Sequence, residues 1–174
     1  MTARTQGYFF VLITMCIWGG FTIFSRLNAH WHVSVWDLVA MRFAIASLIL
    51  LPVLIYKKDL AFLWNPRPVI LALIGGLVYC LTVYTAFLHA PAAHAAIFLN
   101  GCIPLCTAVA AYILFRQPFD KHTWMSLIIM MSALVLMSYL MLHDQASGLG
   151  VGDLLLFVSA IWWGIFTVLL KQWK

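Results

Sequence analysis

Six stretches of this chain each run for roughly 20 residues almost without a charge, the length a helix needs to cross a bilayer. They are 7–28, 35–56, 68–89, 92–115, 123–143 and 152–172. In lipid a backbone N–H or C=O has no water to bond, so each such stretch must satisfy its polar groups internally, as a helix. The connections are short, so neighbouring helices run antiparallel and no room is left for a soluble domain or a low-complexity linker. The expected fold is an all-α integral membrane protein of six transmembrane helices. Composition agrees: 65% of residues are hydrophobic and 9% charged, far from the balance of a soluble domain. The first run is too long for a signal-peptide core and shows no clear small-residue cleavage site, so it reads as a retained membrane helix.

The bases set the topology. Arg4 precedes the first span; Lys57, Lys58 and Arg67 lie between spans two and three; Arg116 and Lys121 between four and five; Lys171 and Lys174 after the sixth. The opposite loops hold none. By the positive-inside rule the basic side is cytoplasmic, with both termini on it, in a cell (inner) membrane. Arg26, at the outer end of span one, and Arg42, inside span two, are left over. The net charge of +5 is dispersed between apolar runs and indicates no nucleic-acid partner. Every acidic residue is Asp. Cys16, Cys80, Cys102 and Cys106 all fall in apolar runs and read as small buried residues. Ser34 to Asp37 fits a capping box at the start of span two. Pro68 suits a first helical turn, Pro118 a helix end, and Asp120 and Asp153 the positive ends of spans five and six.

A short pattern occurs twice. "MCIWGGFTIFSRL" near the start and "SAIWWGIFTVLLKQWK" at the end align with Trp18 on Trp162 and Gly20 on Gly164, 144 residues apart. Five spans separate the two starts, and five is odd, so a second copy opening at span six is inverted in the membrane. Inverted repeats are a plan of secondary transporters, with the solute site near the midplane between the copies.

These residues resemble the drug/metabolite transporter superfamily, EamA type, along the whole chain. "IWGGFTIFSRL" is similar to the family's first helix. "WDLVAMRFAIASLILLP" is similar to its second, with the Arg-Phe pair at Arg42-Phe43. "APAAHAAIFLNGCIPLCTAVAAYILF" resembles its fourth, and "GVGDLLLFVSAIWWGIFTVLLK" the opening of its second repeat. The resemblance implies ten helices in two inverted five-helix repeats. Residues 1–145 then form the first repeat, and 146–174 the start of a truncated second one. The chain is expected to be an incomplete part of its transporter, lacking its second repeat or a second chain. At the end of span four the family often has Glu where this chain has Gln117, so no role for a carboxylate there carries over.

Span four is the most informative. Pro104 cannot donate to the carbonyl four residues earlier, which belongs to Asn100, so Asn100 offers both a freed carbonyl and a side-chain amide at mid-membrane. Ala93, Ala96, Asn100, Pro104, Thr107 and Ala111 share a small, polar-leaning face, which suits a solute cavity and close helix packing alike. Arg42 sits roughly 9 Å below the outer end of span two by helical rise. It is a candidate for attracting a carboxylate, or else it snorkels or bonds helix-end carbonyls. Trp18 and Thr22 share a face of span one with Thr14 and Ser25. Tyr79 shares one of span three with Gly75, Thr82 and Ala86. Trp18 and Tyr79, with Tyr84, are candidates to stack on a flat solute, with packing as the alternative.

The expected substrate-binding set is therefore Trp18, Thr22, Arg42, Tyr79, Asn100 and Pro104. The histidines His30, His32, His89, His94 and His143 gather near the outer face and only His122 lies inside, yet no strong metal spacing appears, and no metal or cofactor is expected. The expected function is alternating-access transport, by export, of a small organic metabolite or drug between lipid-embedded repeats. Without a Gly-rich nucleotide loop, coupling falls to an ion or solute gradient, though no intramembrane carboxylate presents itself as a proton carrier. The rivals are a non-transporting subunit or inactive remnant, a homodimeric carrier, and a membrane enzyme. The enzyme needs the outer histidines with Asp37 or Asp144.

Overall fold

The computed structural model describes residues 3–57, 65–143 and 148–173. Lys58, Asp144, Lys174 and the expected repeat boundary at 145–146 lie outside the described residues, as do the side chains of Arg4 and Lys57. Among the described residues there is no strand, and six helices are long and apolar enough to cross a membrane. They are α1 (Ala3–His30), α2 (Val35–Lys57), α3 (Pro66–His89), α4 (Ala92–Phe115), α5 (Lys121–His143) and α6 (Val151–Gln172).

Helix ends follow local chemistry. Asn65 caps α3, its side chain accepting from Arg67 N at 3.1 Å, and Pro66 and Pro68 fill a first turn that needs no N–H partner. Helix α4 ends at Arg116, whose left-handed backbone (φ 49°) lets its N–H reach Tyr112 O. Asp120 accepts from Lys121 N at the start of α5. At the start of α6 the Asp153 carboxylate accepts from Gly150 N at 2.8 Å, closing the first turn.

Alternation of the helices is fixed by four contacts. The end of α1 meets the end of α3, since Arg26 donates to the Phe87 carbonyl. The start of α2 meets the end of α3 through Arg42 and Tyr84. The start of α4 meets the start of α6 through His94 and Asp153. Gly152 of α6 lies against the backbone of His89 and Ala90 at the end of α3. Helices α1 to α4 therefore alternate in direction and α6 runs with α4, so Arg67, Arg116 and Lys171 mark helix ends on one side.

The core is a triple of helices. Helix α6 packs along both α3 and α4, more extensively than any other pair in the chain. Their meeting faces carry Tyr79, Val83, Ala86 and Phe87 from α3, Ala95, Leu99, Cys102 and Cys106 from α4, and Leu156 and Ala160 from α6, all buried. Small residues let the backbones close in, which in lipid is where helix association finds its dispersion energy. Two glycines of α6 show it: a Cβ at Gly152 meets the His89 and Ala90 backbone at 2.6 Å, and one at Gly164 meets the Cys106 and Thr107 backbone at 2.8 Å. Helices α1, α2 and α5 lie outside this triple and leave most of their large apolar side chains uncovered. Cys16 differs from the sequence expectation for this reason. It is exposed on α1, whereas Cys80, Cys102 and Cys106 are buried.

Two mid-span segments widen into π-helix, Ala72–Val78 in α3 and Ala96–Gly101 in α4. The first contains Gly75 and Gly76, where rings of α6 (Phe166) and α2 (Phe43) occupy the space a side chain would take. The second runs up to the turn before Pro104, which lacks the N–H a regular ladder needs.

Candidate functional site

Tyr79 leaves the π segment of α3 and is 2% exposed, yet its hydroxyl finds no hydrogen-bond partner among the described residues. A buried, unpartnered phenol is costly unless something else uses it. Its ring lies 4.7 Å from that of Trp163 on α6, and Trp163 stands edge-on to Trp18 of α1 at 5.4 Å. These three residues, with Ile17, Phe21 and Arg42, line a cavity of about 390 Å³, within the range of small-molecule sites.

Arg42 supplies the charge. Its guanidinium lies 5.5 Å from the centroid of the Phe21 ring, and one of its nitrogens donates to the Tyr84 hydroxyl at 3.3 Å. Cation–π attraction and this one bond hold the group across α1 and α3, so it neither snorkels along its own helix nor bonds a helix-end carbonyl. Arg26 takes the latter role, on Phe87. Arg42 keeps one side open and has further N–H donors for a ligand.

Three of the six sequence candidates thus meet in one place: Trp18, Arg42 and Tyr79. Thr22 sits on the same face of α1, but its hydroxyl donates to its own Trp18 carbonyl at 3.2 Å. Thr14 and Ser25 turn onto their own helix in the same way. Asn100 and Pro104 lie on α4 away from this cavity, on the exposed small-residue face that also carries Ala93 and Ala96. Sequence reasoning missed Phe21 and Trp163. The repeat alignment pointed at Trp162, whereas the residue beside it turns to the cavity. A Trp-Trp pair places one ring on each of two adjacent faces, and only packing decides which one is inward.

A larger cavity of about 670 Å³ lies between α4, α5 and α6. Its walls are almost wholly apolar, with Ser138, Tyr139, Cys102 and Asp153 as the exceptions. Among the described residues no three His, Cys, Asp or Glu side chains gather as a metal site. One outer histidine does find a carboxylate, although neither Asp37 nor Asp144: His94 Nδ1 lies 2.6 Å from Asp153 Oδ1.

The six apolar helices define the class, an integral membrane protein with a charged, aromatic cavity between them. The chain matches the EamA-like transporter family over residues 5–139, most of its length, and belongs to that family. It is therefore a multi-pass membrane protein of a transporter family of the drug/metabolite type. No curated protein and no solved structure matches it.

Proposed function

We propose that this chain forms one repeat of a secondary carrier, together with the first helix of an inverted second repeat, and that the carrier exports a small flat solute bearing a carboxylate. The observation that carries the reading is the cavity in which Trp18, Tyr79 and Trp163 offer ring faces and Arg42 offers donors beside them. Ring stacking selects a flat solute, and a guanidinium selects a carboxylate by bidentate bonding.

Unequal use of the repeated motif supports the two-repeat reading. Gly164 is pressed on α4, whereas a Cβ at Gly20 meets nothing within 4 Å. If α6 opens a second repeat, it is packed into the first, and by the same symmetry α1 belongs in the second. The uncovered small face of α4, with Asn100 and Pro104, then borders the solute path, and the rocking of the two repeats gives alternating access. The basic side, with both termini, is cytoplasmic on this reading.

The test is flux of radiolabelled phenylalanine, a ring with a carboxylate that does not cross lipid unaided, in vesicles carrying the native product. Arg42→Gln is expected to cut flux at least about tenfold, the value of one charge-assisted bond. Trp163→Leu should raise KM, and Asn100→Leu should reduce flux with insertion unchanged. Flux equal to that of empty vesicles, or unchanged in Arg42→Gln, removes the proposed site. An antibody to the N-terminal segment, applied to source membranes, reads whether the product exceeds 19.7 kDa.

A further inference from the structure

Helix α5 stands outside the core and packs on α4, hardly on α6. Phe119 joins α4 and α5 at the basic side, its ring 5.5 Å from Tyr112 of α4 and 5.4 Å from Trp124 of α5. Further in, Leu134 of α5 lies where a Cβ on Gly101 of α4 would meet it at 2.9 Å. Going back along α4 is therefore going forward along α5, so Ser138 and Tyr139 approach the base-poor end, where α6 begins. The space left between α5 and α6 is the apolar cavity of about 670 Å³. It follows α5 from Met131 to Tyr139, about 12 Å by helical rise. A second apolar cavity of about 290 Å³ shares Leu105 and Phe157 with it and follows α6 on to Ile165, towards the basic side.

Size and polarity limit what fits there. A helix with its side chains is about 10 Å across, and about 12 Å of its length fills on the order of 900 Å³, more than the cavity holds. A methylene is close in size to a water, which takes about 30 Å³, so a chain of about 16 carbons takes about 500 Å³. That is within the larger cavity, whose depth is near the roughly 15 Å of one leaflet's hydrocarbon. The polar groups gather at the base-poor mouth. Asp153 is the only charged side chain in the wall among the described residues, and Ser138 and Tyr139 share that end. Ser126 and Ser132 of α5 donate to carbonyls of their own helix. Ser138 makes no such bond among the described residues and lines the cavity instead. The sequence between spans five and six carries no Lys or Arg.

We propose that this groove binds a phospholipid of the leaflet on the base-poor side, with one acyl chain between α5 and α6 and an amine-bearing, zwitterionic headgroup at the mouth. Lipid tails are as apolar as the helices, so no hydrophobic gain holds the chain there. Dispersion against fixed walls on both sides, which an unfilled gap forfeits, holds the tail, and the polar mouth selects the head. The Ser138 hydroxyl donates to an ester or phosphate oxygen of the lipid. The ammonium meets the Asp153 carboxylate, which keeps its contacts with His94 and Gly150 N and has further lone pairs to offer. An anionic headgroup would meet that carboxylate and no Lys or Arg. None of the groove's lining residues belongs to the solute cavity, so the lipid site stands without the carrier reading.

The experiment is native mass spectrometry of the full chain released from detergent, titrated with phosphatidylethanolamine or with phosphatidylglycerol of the same acyl chains. The expected result is a single bound phosphatidylethanolamine, held at least about tenfold more tightly than phosphatidylglycerol, the value of one charge-assisted contact. Val135→Trp places a ring in the groove from an exposed position on α5 and should abolish the adduct. Leu136→Trp, also exposed but outside the groove wall, should keep it, which separates filling of the groove from damage to α5. Ser138→Ala should weaken binding about two- to tenfold. No discrete adduct, equal binding of the two lipids, or an adduct that survives Val135→Trp overturns the proposal. So does loss of the adduct in Leu136→Trp, or unchanged affinity in Ser138→Ala. No solute is present, so failure of the carrier reading and failure of the lipid site are separate results.

Discussion

Replacing Gly164 by Val tests the central packing of the chain. The first added carbon meets Cys106 C and Thr107 N at 2.8 Å and Cys106 Cβ at 3.1 Å. Two of these three atoms are backbone and cannot rotate away, so α6 must retreat from α4 by about half an ångström or more to regain ordinary contact. Such overpacking costs roughly 1–3 kcal/mol, and a β-branched residue belongs near the upper end. Relief of glycine's backbone entropy returns only a few tenths of a kcal/mol for Val. A net loss of about 2 kcal/mol corresponds to a fall in Tm of about 4–8 °C at this chain length. Gly20→Val, at the equivalent motif position, meets nothing and should melt within about 1–2 °C of wild type, since its cost term is absent. The assay is size-exclusion detection of the folded protein after heating in detergent. If Gly164→Val melts with the wild type, the α4–α6 contact is not as described. If Gly20→Val falls as far as Gly164→Val, a second copy is already pressed on α1.

Two further outcomes follow from single residues. Tyr79→Phe removes a buried hydroxyl that has no partner, so the fold should hold its Tm or gain up to about 1 kcal/mol. KM for phenylalanine should stay within about twofold of wild type in the same variant, because the hydroxyl presents no surface to the cavity, and a several-fold rise would show that it reaches the solute after all. Arg116→Gly relieves a side chain held at φ 49° and should stabilise by roughly 0.5–1 kcal/mol, a rise of about 2 °C. Arg116→Ala keeps the same backbone cost and should show no such rise.

Much of this protein is legible without tertiary structure. Hydrocarbon enforces a simple code, since a segment of sufficient apolar length has no alternative to a helix. All six spans accordingly lie where the apolar runs put them, and their ends extend by a few residues into capping turns such as that of Asn65. The side of the basic loops is equally plain, because Arg and Lys are costly in the hydrocarbon and, Arg42 apart, gather at helix ends. Periodicity also placed Trp18 and Tyr79 on faces able to meet, while Arg42 was marked only by its charge within a span.

What periodicity leaves open is partnership. Every face of these helices is apolar, so hydropathy cannot say which face meets protein and which meets lipid. That choice rests on close approach, on Gly164 against the Cys106 backbone and Gly152 against Ala90, and on which ring of Trp162-Trp163 fits beside Tyr79. The same limit hid the His94–Asp153 pair. The two residues lie 59 positions apart, and each has an ordinary local explanation as an interfacial His and a helix-start Asp. Sequence by itself determined the six helices, their alternation and their charged side, because those depend on transfer from water to lipid. Only the tertiary structure decided that α6 fills the gap between α3 and α4, because that depends on where two backbones can touch.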